Sequence, residues 1–252
     1  MKSGIFLSVR EKATRFPGKV LKPLGGKQLT ALLIGRLKES SRTDMVVLTT
    51  SADPRDGVLC DIATEEGIPF YRGSPDDKLF RYRDAARAFD LDYMVIVDGD
   101  DPFVSIEHID RIIEYNMNHS ADFTLCGDLP LGATGFGLRR DAIEIVCNDR
   151  PESNTETWGD MFLRDPQFEC VTLDEPNEDY RRPDIRMTLD YPEDYKFFTT
   201  VADHLTNAGE PIEFPAIMKF LKEYPAVIDI NRGAQEKYER HFIQSGASQF
   251  NS

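Results

Sequence analysis

Apolar residues in the first half of the chain fall into two alternating patterns: short continuous runs, and sets repeated at helical spacing. Ile5 to Val9 (IFLSV) is a β-prone run followed by a charged segment containing Gly and Pro, which is how a buried parallel strand hands over to a loop. Over 28–40, Leu29, Leu32, Leu33 and Leu37 recur at helical spacing, and Met45 to Leu48 follows as the next buried strand. The alternation then predicts a helix near 54–66, a strand near 68–71, a helix near 77–89, the strand Tyr93 to Val97 (YMVIV), a helix near 106–118 and the strand Phe123 to Cys126. Repeated strand–helix units of this kind imply a mostly parallel sheet covered on both faces.

The pattern loosens after this. Gly132, Gly135 and Gly137 interrupt it, helices are expected near 140–147, 156–163, 193–206 and 213–223, and Ile185 to Leu189 reads as a strand. No internal repeat, low-complexity run or linker is visible, and 252 residues suit one large α/β unit. The chain therefore reads as a single domain over 1–252, with a regular half to about 125, a less regular half over 126–243, and a frayed tail over 244–252.

Charge narrows the partners. Thirty Lys and Arg against 44 Asp and Glu leave a formal charge of −14, which repels nucleic acid and anionic membranes from most of the surface. Any nucleotide must meet a local basic pocket. Cys60, Cys126, Cys147 and Cys170 are far apart with no Cys-x-x-Cys pair, so they read as reduced thiols rather than as a zinc site or a disulfide framework. No apolar run approaches the roughly 18 residues of a membrane span, and the N-terminal run is too short for a signal peptide, so a cytoplasmic protein is expected. His108, His119, His204 and His241 show neither metal-ligand nor triad spacing.

Four segments carry candidate chemistry. Arg10 to Lys19 (REKATRFPGK) follows the first strand directly, and ligands of α/β sheets bind outside the carboxyl ends of strands. Guanidinium groups clamp phosphate oxygens bidentately while lysine supplies a point charge, so Arg10, Arg15 and Lys19 suit a triphosphate; in isolation the same loop reads equally as a solvated basic surface. Next, Asp98-Gly99-Asp100-Asp101 crowds three carboxylates at a strand end, where a magnesium ion would relieve their repulsion, or where one of them caps the following helix. Asp190 likewise ends the expected 185–189 strand ahead of a helix opened by Pro192, and a capping role is the stronger local reading there. Finally, Arg72-Gly73-Ser74 leads through Asp77 and Arg81 into a helix that Ser74 could cap, while the same backbone could read the edge of a base.

Taken in order, these segments resemble the cytidylyltransferases related to 3-deoxy-manno-octulosonate cytidylyltransferase, especially the SpsF-like branch of spore-coat polysaccharide biosynthesis, over roughly residues 4–200. Arg10 with Thr14-Arg15-Phe16-Pro17-Gly18-Lys19 is similar to the family's opening run, and Arg72, Gly73, Ser74, Asp77, Leu79 and Arg81 to its Arg-Gly-Ser-x-x-Asp-Val-Leu-x-Arg segment. Asp100 matches the Gly-Asp-x-Pro aspartate, and Asp190 the aspartate of Asp-x-Pro-Glu-Asp. The chain departs from the family in opening its loop with Ser8-Val9-Arg10 rather than Pro-Ala-Arg, and in lacking a clear Arg-Glu-His-Val-Thr segment, whose place Glu156-Thr157-Trp158 would take.

The resemblance implies a Rossmann-like α/β/α nucleotidyltransferase sandwich, homodimeric through the second half. It implies that Arg10, Arg15 and Lys19 bind the triphosphate of CTP, that Arg72, Gly73, Ser74, Asp77 and Arg81 lie beside the nucleotide, and that Asp100 and Asp190 hold magnesium. CMP would pass to an anionic or sugar acceptor (a keto-acid sugar, sugar phosphate or phosphonate) with release of pyrophosphate. Arg139, Arg140, Arg181, Arg182 and Arg186 are the positive charges of the second half available to that acceptor, or ordinary ion pairs. The alternatives are a sugar-1-phosphate nucleotidyltransferase using GTP or UTP, a noncatalytic nucleotide-binding homologue, and a glycosyltransferase that uses Asp98-Gly99-Asp100 for a metal.

Overall fold

The structure, a computed structural model, describes residues 1–245 apart from positions 14, 149, 152, 154, 156 and 157. Strand β1 (Ser3–Ser8) is buried at every position, as an uninterrupted apolar strand covered on both faces must be. A short 3-10 turn (Lys19–Leu21) and a two-residue hairpin, β2 (Pro23–Leu24) with β3 (Lys27–Gln28), lead into α1 (Leu29–Leu37). The alternation then runs through β4 (Met45–Ser51), α2 (Gly57–Glu65), β5 (Phe70–Gly73), α3 (Lys78–Phe89), β6 (Tyr93–Asp98), α4 (Ile106–Asn118) and β7 (Phe123–Cys126). Compared with the sequence expectation, β5 sits two residues later, and the helix expected from 54 begins with a 3-10 turn at Pro54–Asp56.

The second half adds β8 (Phe136–Arg139), α5 (Arg140–Cys147), α6 (Asp160–Leu163), β9 (Cys170–Leu173), α7 (Pro192–Ala208), α8 (Phe214–Glu223) and, after a 3-10 turn at Pro225–Asn231, α9 (Arg232–Ser245). Of the helix expected over 156–163, positions 156 and 157 lie outside the described residues, as do positions 246–252 of the expected tail; 244 and 245 belong to α9.

Seven strands form one sheet in the order β5-β4-β1-β6-β8-β7-β9. β8 runs antiparallel to both neighbours, and every other pairing is parallel. The strands have the two-residue period of a sheet buried on both faces. Ile5, Leu7, Leu48, Val95 and Val97 pack on one face under α1, α2, α4, α7 and α8, and Phe6, Val47, Met94 and Ile96 pack on the other under α3, α5 and α6. This is an α/β/α sandwich. Trp158 belongs to the second core, edge-on to Tyr82, Phe123, Phe136 and Phe162.

Two sequence expectations need correction. The glycines that break the pattern near 135 do not exclude a strand. Gly137 lies inside β8, where any Cβ would run into the Tyr93 hydroxyl and Ile112. Conversely, Ile185 to Leu189 is not a strand. Its apolar residues Ile185, Met187 and Leu189 are inside, but so are Arg186 and Thr188, and among the described residues its one ladder element is a single bridge between Leu131 and Arg186. Its backbone is shared between two loops: Met187 N donates to Leu131 O at 2.7 Å and Leu189 N to Asp100 O at 2.8 Å. That docking carries Asp190 to the end of β6.

Candidate functional site

β1 and β6 are neighbours, with Ser8 opposite Asp98, and from their carboxyl ends the chain runs toward opposite edges of the sheet, from β1 to β4 and from β6 to β7. Such a switch point leaves a crevice in open α/β sheets. Gly18, at φ 68°, makes the left-handed turn that starts the Lys19–Leu21 helix and lets Lys19 point back into the crevice.

Lys19 joins the two acidic segments. Its Nζ lies 2.6 Å from Asp100 Oδ2 and 3.2 Å from Asp190 Oδ1, and it also donates to Leu189 O at 2.6 Å. Burial works against this ammonium, but Asp100 and then Asp190 outweigh it and hold its pKa above that of an ordinary lysine. Arg15 Nη2 donates to the same Asp190 oxygen at 2.5 Å, while Arg186 Nη2 takes the other oxygen at 2.9 Å. Burial would raise the Asp190 pKa, yet Lys19, Arg15 and Arg186 together hold it well below the usual carboxylate range. The local prediction that Asp190 caps the next helix does not hold: Asp194 Oδ2 reaches back to accept from the backbone N–H groups of Asp190 and Tyr191, leaving the Asp190 carboxylate to the cations.

Asp98, Asp100 and Asp101 each offer a carboxylate oxygen, and these atoms lie within 4.8 Å of one another. Asp101 is buried; desolvation, then the charges of Asp100 and Asp98, push its pKa well above the normal carboxylate value. Hard oxygens crowded under mutual repulsion are a donor set suited to a divalent cation such as magnesium. Lys78, unremarked in the sequence, places Nζ 3.2 Å from Asp98 Oδ1. Arg36 of α1, almost fully buried, donates to the carbonyls of Pro102 and Val104 and so fixes the turn that follows the carboxylates; burial lowers its pKa to about 10.

The basic loop divides. Arg10 donates to Pro75 O and faces a small cavity of about 40 Å³ lined by Lys12, Ser51, Asp53, Asp56 and Asp76, whereas Arg15 and Lys19 meet Asp190. The Arg72–Arg81 segment borders this side. Arg72 donates to the carbonyls of Ser51 and Asp53, and Ser74 Oγ accepts from the backbone N–H groups of Asp76 and Asp77. The helix cap is Asp77, not Ser74: its carboxylate accepts from Phe80 N, and it is fully buried against Arg150, Ser153 and Thr155. Arg81, 1% exposed, donates through Nη1 to Ser74 O, while its Nε and Nη2 find no hydrogen-bond partner among the described residues. The site therefore has two arms, one built on Lys19 and the aspartates and the other on Arg10 and the Gly73 turn.

The second-half arginines separate as well. Arg186 is buried in the Asp190–Asp194 network, so it presents no free charge to an acceptor. Arg139 pairs with Asp122 and Arg140 with Asp90 and Asp92 at the opposite end of β6, and Arg182 pairs with Asp184. Of Glu156-Thr157-Trp158, the first two lie outside the described residues.

A family model described as Cytidylyltransferase matches residues 5–196. The chain belongs to the cytidylyltransferase family. It is therefore a nucleotidyltransferase with CTP-dependent cytidylyltransferase chemistry. The chain is 30% identical to the spore coat polysaccharide biosynthesis protein SpsF of Bacillus subtilis over 75% of its own length and 82% of the relative's. It is 27% identical to an uncharacterized protein of Methanocaldococcus jannaschii over 93% and 96% of the two chains. The fold matches a cytidylyltransferase from Leptospira borgpetersenii with a TM-score of 0.79 at 22% identity, over 90% of this chain and 97% of that one. A CMP:2-keto-3-deoxy-manno-octonic acid synthetase solved with CTP superposes at 0.62 and 14% identity, over 82% and 100%. Among the described residues, no helix is long and apolar enough to cross a membrane.

Proposed function

We propose that this cytidylyltransferase transfers CMP from CTP to an anionic or polyhydroxylated acceptor (a keto-acid sugar, a sugar phosphate or a phosphonate) with magnesium at the carboxyl end of β6. The observation that supports the reading is the meeting of Lys19 with Asp100 and Asp190, because a cation suited to polyphosphate and carboxylates suited to a metal share one crevice. Asp100 and Asp190, with Asp98 and Asp101 beside Asp100, are the residues that would hold the metal, which when bound supplies charge neutralisation at the α-phosphate. Lys19 and Arg15 exchange their carboxylate partners for the β- and γ-phosphates, and Arg10 holds the nucleotide from the opposite arm together with Arg72, Gly73, Ser74 and Arg81. Asp77 acts in the same arm by holding the start of α3.

The acceptor oxygen then attacks the α-phosphorus in line with the departing pyrophosphate: one P–O bond forms as the bond to the bridging oxygen breaks, without a covalent enzyme intermediate. The protein's part is positioning and neutralisation of charge on the leaving group. Ile145, Met161 and Leu163, exposed apolar residues of α5 and α6, belong to the same reading as the contact surface of a homodimer.

The deciding experiment measures pyrophosphate release from each of the four ribonucleoside triphosphates with magnesium against a panel of keto-acid sugars, sugar phosphates and phosphonates. Release with CTP and one acceptor class is the expected result. Preferential release with GTP or UTP overturns the base assignment, and tight CTP binding without release from any acceptor in the panel points to a nucleotide-binding homologue.

A further inference from the structure

Helix α9 lies beyond residue 196, where the family match ends, yet it reaches the crevice. The guanidinium carbons of Arg15 and Arg186 stand 5.9 Å and 4.9 Å from the centroid of the Tyr238 ring. These are the two arginines that grip opposite oxygens of Asp190. Tyr191 faces Arg15 as well, at 5.8 Å, so the Arg15 guanidinium is bordered by two aromatic rings and a carboxylate. The helix is tied down beside Tyr238: Gln235 Oε1 accepts from Arg186 Nη1 at 3.1 Å, and Lys237 pairs with Glu193 of α7 at 2.6 Å. Burial, then the charge of Asp190, raises the phenol pKa, so Tyr238 acts as a neutral ring.

We infer that Tyr238 is a positioning residue for nucleotide binding, its ring holding the Arg15 guanidinium at the mouth of the crevice so that the triphosphate meets an ordered cation. The inference rests on the reading of Arg15 as a triphosphate ligand. A long arginine side chain loses rotamer freedom when it clamps phosphate, and an aromatic face that already confines it removes part of that cost. By this arrangement the C-terminal helix becomes part of the nucleotide site.

The test is equilibrium binding of CTP to the full chain by calorimetry, paired with steady-state kinetics and a thermal melt of each variant. Tyr238→Leu is expected to weaken CTP binding by on the order of 5- to 10-fold. The KM for CTP rises by a similar factor while kcat stays within about twofold. Tyr238→Phe keeps the ring and binds as the wild type does, and Tyr238→Gln stands in if the leucine variant does not fold. In an Arg15→Ala background, which itself binds CTP weakly, Tyr238→Leu adds nothing further. Unchanged or tighter CTP binding in a folded Tyr238→Leu or Tyr238→Gln protein, or an effect that adds fully to that of Arg15→Ala, overturns the inference alone. Unchanged binding in Arg15→Ala overturns the triphosphate role of the loop and the inference with it.

Discussion

Asp77 and Asp190 are both buried carboxylates at the entrance of a helix, and both are gripped by an arginine, yet their surroundings differ in kind. Asp77 meets one cation, with Arg150 Nη1 and Nη2 on its two oxygens at 2.7 and 3.0 Å, and fills its remaining acceptor positions with the neutral donors Phe80 N, Ser153 N and Thr155 Oγ1. Asp190 meets three cations, two of them on the loop after β1. That second cluster opens outward, since the Arg15 and Asp100 side chains are 33% and 28% exposed while Asp77 is sealed. Burial and ion pairing are common to both carboxylates and so do not separate them. What distinguishes Asp190 is a surplus of cations on an accessible segment that can take other anionic partners.

The comparison can be broken most directly at Asp100. Asp100→Ala should lower the turnover of CTP by at least about 10²-fold, the scale of losing one electrostatic stabiliser, with little change in melting temperature because the residue is partly exposed. Near wild-type pyrophosphate release would make the Lys19 cluster as structural as the Asp77 one.

Asp77→Ala should do the reverse, costing about 3 kcal/mol of stability through the unpaired Arg150, while the turnover of folded protein falls less than about 10-fold. Desolvation would raise the Asp77 pKa, but Arg150 and the backbone donors hold it below its unfolded value of 3.8. Its stabilisation is therefore complete above about pH 4 and drains away as the pH falls through the lower folded value, so denaturant melts of wild type and variant should converge in acid.

A smaller effect should come from Gly132→Ala. Gly132 has φ +85°, and a Cβ there would come 2.5 Å from Met187 O and 2.7 Å from Asp101 Oδ1. About 2 kcal/mol of destabilisation should accompany reduced turnover, because Leu131 is what docks the segment ahead of Asp190. Smallest of all is Arg139→Ala, which removes a half-exposed pair with Asp122 at the far end of β6 and should cost less than about 1 kcal/mol while sparing CTP binding.

Local pattern by itself determined much of the first half of this protein. The strands β1, β4 and β6 are continuous apolar runs, and the flanking helices carry their stripe at helical spacing, so both are readable within a ten-residue window. The chemical character of the Arg10–Lys19 loop and of the Asp98–Asp101 turn was readable in the same way, because residue type alone sets what a side chain can bind. Tertiary structure alone decided which charges meet. Arg15 and Asp190 are 175 positions apart, and the backbone that brings Asp190 to Lys19 is fastened by Leu131 and Asp100 rather than by a neighbouring strand. β8 and β9 are four residues each: Gly137 sits inside the first, and the β-prone CVTL run of the second is too short to stand alone, so both depend on partners across the sheet. Arg186 illustrates the same limit: the residue type announces a surface cation, and only the packed Asp190–Asp194 network makes it a buried one. A counter-charge or a pairing edge supplied from elsewhere in the chain leaves no trace in the pattern around the residue it fixes, whereas hydrophobic period and donor chemistry are properties each segment carries with it.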